Sequence, residues 1–265
     1  AGRSRKREPM TLVEMCVNDA VVRIAPELGA AITSYAWRDR PVLRAATDAA
    51  LDSRNVRMTS CYPLVPYSNR IRDARLRFRG SDYQLSRNFG AHPHAIHGVG
   101  WQRTWSVATA QRHHVQLTLD HAADAGVKAD WPWPFRAAQT FDLASAITPA
   151  AVVLAVTLTL ANTGTEPFPF GLGWHPFFVA DAATMVAFGA HNVWENDATQ
   201  LPLRRIDIPT VWPFASARPL AGLAIDNVFT GWQGRAVVSN ASTGVRATLA
   251  ADRACGNLVV YAPPG

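Results

Sequence analysis

Lysine is almost missing from this chain. Of its 26 basic residues only Lys6 and Lys128 are lysines, and the rest are arginines in an alanine-rich background, which reads as a coding bias. Glutamate is scarce too, standing only at Glu8, Glu14, Glu27, Glu166 and Glu195. Cysteine is limited to Cys16, Cys61 and Cys255, odd in number and without CxxC spacing, which argues against a disulfide framework or a structural zinc site and for a reducing, cytoplasmic setting. No apolar run approaches the roughly 18 residues that a membrane-spanning helix needs, so no membrane partner is expected. Charged residues make up 17% of the chain and hydrophobic ones 48%, too apolar a mixture for general disorder. A basic stripe on one element, the footprint of nucleic-acid binding, is absent as well. Four basic residues and Glu8 in the first ten positions already supply half of the net +6. That opening stretch, AGRSRKREP, has neither an initiator methionine nor an apolar core, so it reads as no signal peptide or anchor. Residues 1–9 are expected to be a disordered, tag-like basic tail, with Met10 as the natural start.

What the chain does have is turn residues and alternating strands. Its 265 residues include 18 Pro and 17 Gly, and they are enough for one large domain with a full core. In residues 151–161, AVVLAVTLTLA, Val152, Leu154, Val156, Leu158 and Leu160 fall on one face, and Asn162-Thr163-Gly164 then signals a turn. Residues 115–119 alternate in the same way. Residues 237–238 and 245–249 flank Asn240-Ala241-Ser242-Thr243-Gly244 as a hairpin. Helix is expected only as a turn or two around residues 45–52. Prolines exclude helix interiors at Trp131-Pro132-Trp133-Pro134-Phe135 and Glu166-Pro167-Phe168-Pro169-Phe170. With no linker, repeat or shift in composition, residues 10–265 read as a single all-β domain, a sandwich of large antiparallel sheets.

Three segments set ionisable residues beside Gly and Pro. In PLVPYSNRI (63–71), Asn69 and Arg70 offer an amide and a guanidinium fork suited to neighbouring hydroxyls of a polyol; a turn capped by Asn69 with Arg70 in solvent is the plainer alternative. In AHPHAIHGVGW (91–101), three histidines within six positions permit a metal site. No Asp or Glu lies near them, however, and Gly98 and Gly100 let backbone approach a ligand, so His97 reads better as a hydrogen-bond partner of a sugar oxygen. In GLGWHPFF (171–178), His175 among aromatics is either a core residue or, in a cleft, a proton donor and acceptor near neutrality with aromatic neighbours for a sugar face.

Taken in order, PLVPYSNRI, then FRG..YQL..N, HAIHGVGW, WPWPF, GLGWHPFF and finally Ile225-Asp226-Asn227-Val228-Phe229 with Gly231-Trp232 resemble the aldose 1-epimerase (galactose mutarotase) family over nearly the whole chain after the tail. The resemblance implies a β-supersandwich, no cofactor and no metal, and a free aldohexose as the substrate whose α and β anomers are interconverted. It implies His175 as general acid, with His97, Asn69, Arg70 and Asp226 on sugar oxygens and Trp131 or Trp133 in the cleft wall. A hexose 6-phosphate would be an alternative substrate, since Arg72, Arg75, Arg77 and Arg79 follow the Asn-Arg pair. The alternation from 75 to 79 more simply describes the solvated face of a strand, with Leu76 and Phe78 inward.

One departure stands out. The family's general base is a glutamate in a late strand, after a stretch like Asn257-Leu258-Val259-Val260-Tyr261-Ala262-Pro263, and no general-base Glu is present at such a position in residues 1–265. Three explanations stay open: the chain stops short of its natural C-terminal strands, it is a non-catalytic sugar-binding relative, or Asp226 has taken the role.

Overall fold

The computed structural model describes residues 10–122, 129–146 and 151–263, so the basic tail expected at 1–9 lies outside the described residues. Contacts divide the chain into two compact units, one from the described part of Ala1–Asp39 and Leu43–Phe177, the other from that of Arg40–Val42 and Phe178–Gly265. The division crosses no linker, so composition gives no sign of it.

In the first unit the main strands are β1 Val13–Val17, β2 Ala20–Ala25, β3 Ala31–Trp37, β4 Cys61–Leu64, β5 Ser106–Ala110, β6 His114–His121, β7 Phe135–Ser145, β8 Val152–Asn162 and β9 Gly173–Pro176. One sheet runs β1-β2-β3-β4-β9 and a second runs β5-β6-β7-β8. Every pairing among these strands is antiparallel. Alternation in the sequence becomes alternation in burial. On β6 Val115, Leu117 and Leu119 are buried, and on β7 so are Phe135, Ala137, Gln139, Phe141 and Leu143, while the residues alternating with them are more exposed. The two sheets meet through these faces, with Phe141 set edge-on to Trp174 of β9 at 6.3 Å between ring centroids.

The expected turn after β8 is present, its bend closed by the Asn162 side chain accepting the Gly164 N–H at 2.9 Å. The short α-helix Asp48–Asp52 is capped by Thr47, whose hydroxyl accepts the Ala50 N–H. Two small ribbons complete the unit: Arg75–Phe78 with Ser81–Gln84, and Arg70–Ile71 with Ala95–Ile96.

The second unit contains β10 Thr184–Phe188, β11 Asn192–Asn196, β12 Pro202–Asp207, β13 Ile225–Thr230, β14 Arg235–Asn240, β15 Val245–Ala250 and β16 Asn257–Ala262. Arg218–Pro219 joins β10-β14-β15 as one sheet, and the other runs β12-β11-β13-β16. The hairpin expected about residues 240–244 joins β14 to β15. Phe188, Phe214 and Phe229 form the aromatic centre of this core: the first two stack at 4.7 Å, and Phe229 stands edge-on to both. Among the described residues no helix is long and apolar enough to cross a membrane.

Candidate active site

Strand β4 and strand β9 lie side by side, with Tyr62 opposite His175 and Cys61 opposite Pro176. This register puts the His175 ring 5.0 Å from the ring of buried Tyr62, and Phe177 stacks on the imidazole at 4.4 Å. Arg44 lies over the Phe177 ring at 4.2 Å, so the aromatic floor has a cation behind it. The buried Cys61 thiol accepts the His175 backbone N–H, and burial pushes its pKa up to about 12, so it stays a thiol at neutral pH.

The second histidine comes from a loop. After β4 the chain runs through Val65 into the Asn69-Arg70 bend, and the segment carrying His97 lies against it, with Arg70 opposite Ile96. Two hydrogen bonds tie the segments reciprocally: the Asn69 carbonyl accepts the His97 N–H at 2.9 Å, and His97 Nδ1 accepts the Asn69 N–H at 3.1 Å. Both residues have left-handed backbones, Asn69 at φ 61° and His97 at φ 62°. Asn tolerates that region better than most residues. Gly98 follows at φ 69°, and a Cβ there would fall 2.2 Å from the Val65 carbonyl oxygen, a gap only glycine fits.

The result is a pair of imidazoles at right angles, His97 and His175, with centroids 5.6 Å apart over Tyr62. Asn69 and Arg70 stand beside them, joined by a bond from Arg70 Nη1 to Asn69 Oδ1 at 3.1 Å. All four side-chain positions are partly open to solvent. Burial holds the pKa of His97 down to about 3, aided by the nearby charges of His175 and Arg70. His97 is therefore neutral at pH 7, and with Nδ1 accepting, its proton sits on Nε2 as a hydrogen-bond donor.

The three histidines of the 91–101 segment do not converge. His92 Nδ1 accepts the His94 N–H, His94 Nδ1 accepts the Asp73 N–H, and His97 Nδ1 accepts that of Asn69. Each imidazole thus fastens main chain. Among the described residues no group of three His, Cys, Asp or Glu side chains is arranged to hold a metal.

Trp131 and Trp133 depart from their expected place in a cleft wall. They are 1% and 6% exposed and pack with Tyr67, Tyr83 and Phe168, because prolines on either side turn this aromatic run inward as core. Arg75 and Arg77 face solvent, Arg75 pairing with Asp82, while Leu76 and Phe78 are partly covered. The described glutamates of the first unit lie at its surface, Glu14 with Arg23, Glu27 with Arg54, and Glu166 in an exposed turn. In the second unit Glu195 pairs with Arg204. Asp226 is there too, partly buried on β13 opposite Tyr261 of β16, its carbonyl accepting from Asn196 Nδ2.

Two features of the first unit were not singled out from sequence. Tyr62, the floor beneath both rings, had only its place beside the PLVPYSNRI segment as a signal. Asn88 stood in the FRG..YQL..N string with no role attached.

The chain is thus all-β, with two imidazoles crossed over a tyrosine beside an Asn-Arg pair. Residues 12–265 match the aldose 1-epimerase family, and the chain belongs to that family. An uncharacterized protein of Escherichia coli K12, YphB, is 32% identical over 216 residues, 78% of this chain and 67% of that one. A second from the same organism, YihR, is 28% identical over 175 residues, and the match spans only 53% of its length. Among solved structures, an E. coli K12 protein provisionally named an aldose 1-epimerase superposes with a TM-score of 0.83 at 26% identity, over 96% of this chain and 82% of that one. A galactose mutarotase-like protein of Clostridium acetobutylicum gives 0.78 at 15% identity, over 96% and 85%, a likeness of fold. The fold is accordingly the galactose mutarotase-like all-β sandwich.

Proposed function

We propose that the protein is a mutarotase interconverting the α and β anomers of a free aldohexose, with His175 as general acid. The observation that carries this reading is the crossed His97–His175 pair in a chain of the aldose 1-epimerase family. Anomer exchange requires a proton to leave the C1 hydroxyl, taken up by solvent water to which the site is partly open, and another to reach the ring oxygen as the C1–O5 bond breaks. The open aldehyde turns about C1–C2 and recloses on the other face, the acid and base exchanging roles. Because burial keeps His97 neutral, the proton delivered to O5 comes from His175, and His97 donates its Nε2–H to a sugar oxygen without transferring it. Asn69 and Arg70 supply further donors. Phe177 gives His175 an apolar backing.

Polarimetry on freshly dissolved α-D-glucose and α-D-galactose with the protein tests the proposal. Catalysed decay of rotation is expected, and His175→Asn should lower kcat by about 10²- to 10⁴-fold, the usual contribution of a positioned acid or base. No acceleration over buffer with any common aldose would sink the idea. Binding of an aldose that neither turns over nor depends on His175 would establish a carbohydrate-binding protein on the same scaffold instead.

A further inference from the structure

His97 has a left-handed backbone at φ 62°, uncommon outside glycine though better tolerated by histidine than by most residues, and its loop is held on both sides. Asn88 holds one side. Its Oδ1 accepts the Ile96 N–H at 2.8 Å, and its Nδ2 donates to the Ile96 carbonyl at 2.7 Å and to the Gly98 carbonyl at 2.9 Å. One amide side chain therefore grips the main chain immediately before and immediately after His97, making bonds that need both an acceptor and a two-proton donor in one plane. Among protein side chains of this length only asparagine offers that combination. On the loop's other flank Asn69 bonds His97 through both its N–H and its carbonyl.

Asn88 is itself held in place. Its carbonyl accepts from Gln102 Nε2 at 3.0 Å, so the clamp is fixed to the short helical turn Gly100–Gln102 that follows the loop.

From this geometry we infer that Asn88 is a positioning residue of the site, which sets the His97 ring against the Asn69 N–H and so leaves its Nε2–H directed to the ligand. The inference rests on the reading of the cleft as a sugar site, but the clamp itself is measurable without sugar. If the clamp is released, the peptide around His97 relaxes, the Asn69 N–H to Nδ1 bond is lost and the ring becomes more hydrated. A proton then competes for Nδ1 at ordinary pH.

The test uses Asn88→Ala and Asn88→Asp, the latter keeping an acceptor for the Ile96 N–H while losing both donations. Imidazole ¹⁵N spectra are recorded from pH 4 to 8, with the His97 signals assigned by their absence in His97→Asn. Wild-type His97 is expected to stay a neutral Nε2–H tautomer across that range. In both variants, with circular dichroism showing the fold intact, it should titrate within it. In parallel, calorimetric binding of D-galactose and D-glucose should weaken about tenfold or more, and in the turnover assay KM should rise more than kcat falls. His97 resonances that do not move in folded Asn88→Asp overturn the positioning role. Should Asn88→Ala fail to fold, the Asn88→Asp spectra decide the question. A wild-type protein that binds neither sugar overturns the reading of the cleft and leaves the His97 spectra to judge the clamp, so the two failures are told apart.

Discussion

At the scale of single residues, His97 links the site to the stability of the molecule. An unfolded imidazole takes up a proton near pH 6.5, whereas this one takes it up only near 3 when folded, because burial penalises the charge. Between those values the unfolded chain binds more protons, so stability is complete above pH 6.5 and is lost as pH falls toward 3, by up to about 1.4 kcal/mol per pH unit. His97→Asn should remove this contribution. Asparagine puts Oδ1 close to where Nδ1 lay, can accept the Asn69 N–H, tolerates φ near 60°, and does not titrate. Urea denaturation at intervals from pH 3.5 to 7 is expected to show a flatter acid limb in the variant, and an unchanged slope would assign that limb to other groups. His97 was legible in the sequence as a sugar-contact candidate between glycines, yet its protonation state was not. The tautomer depends on an N–H delivered by Asn69, 28 positions away in the chain, and no local pattern records that bond.

At the scale of elements, the strands with strict alternation were readable and the site strands were not. β8 and the β14–β15 hairpin follow their apolar period because one face packs and the other meets water. β4 is buried at every position and β9 half-buried at every position, so neither displays a period that would announce a strand. The aromatic run 131–135 misled in the opposite sense. Its tryptophans looked like ligand platforms, but proline-bracketed rings are equally good core, and the interior won. In the second unit β13 carries Phe229, fully buried and edge-on to Phe188 and Phe214. Phe229→Ala should lower unfolding free energy by about 3–5 kcal/mol in chemical denaturation, and a loss below about 1 kcal/mol would mean that the surrounding rings collapse into the space.

At the scale of the whole molecule, the scarcity of cysteine noted at the start has a practical consequence. The three thiols are unpaired and differ in cover: Cys255 is exposed, Cys16 half-buried and Cys61 buried. Cys61 lies on β4, whose partner β9 is the outermost strand of its sheet and is held by only four residue pairs. An edge strand that short opens more readily than the sheet behind it. A thiol-reactive reagent added under native conditions should modify exposed Cys255 first and Cys61 far more slowly, at a rate set by parting of β9 from β4. Mass spectrometry of the quenched protein would follow both sites. Cys61 reacting as fast as Cys255 would contradict its burial. Since β9 also carries His175, the labelling rate of Cys61 times how often that imidazole leaves its place over Tyr62.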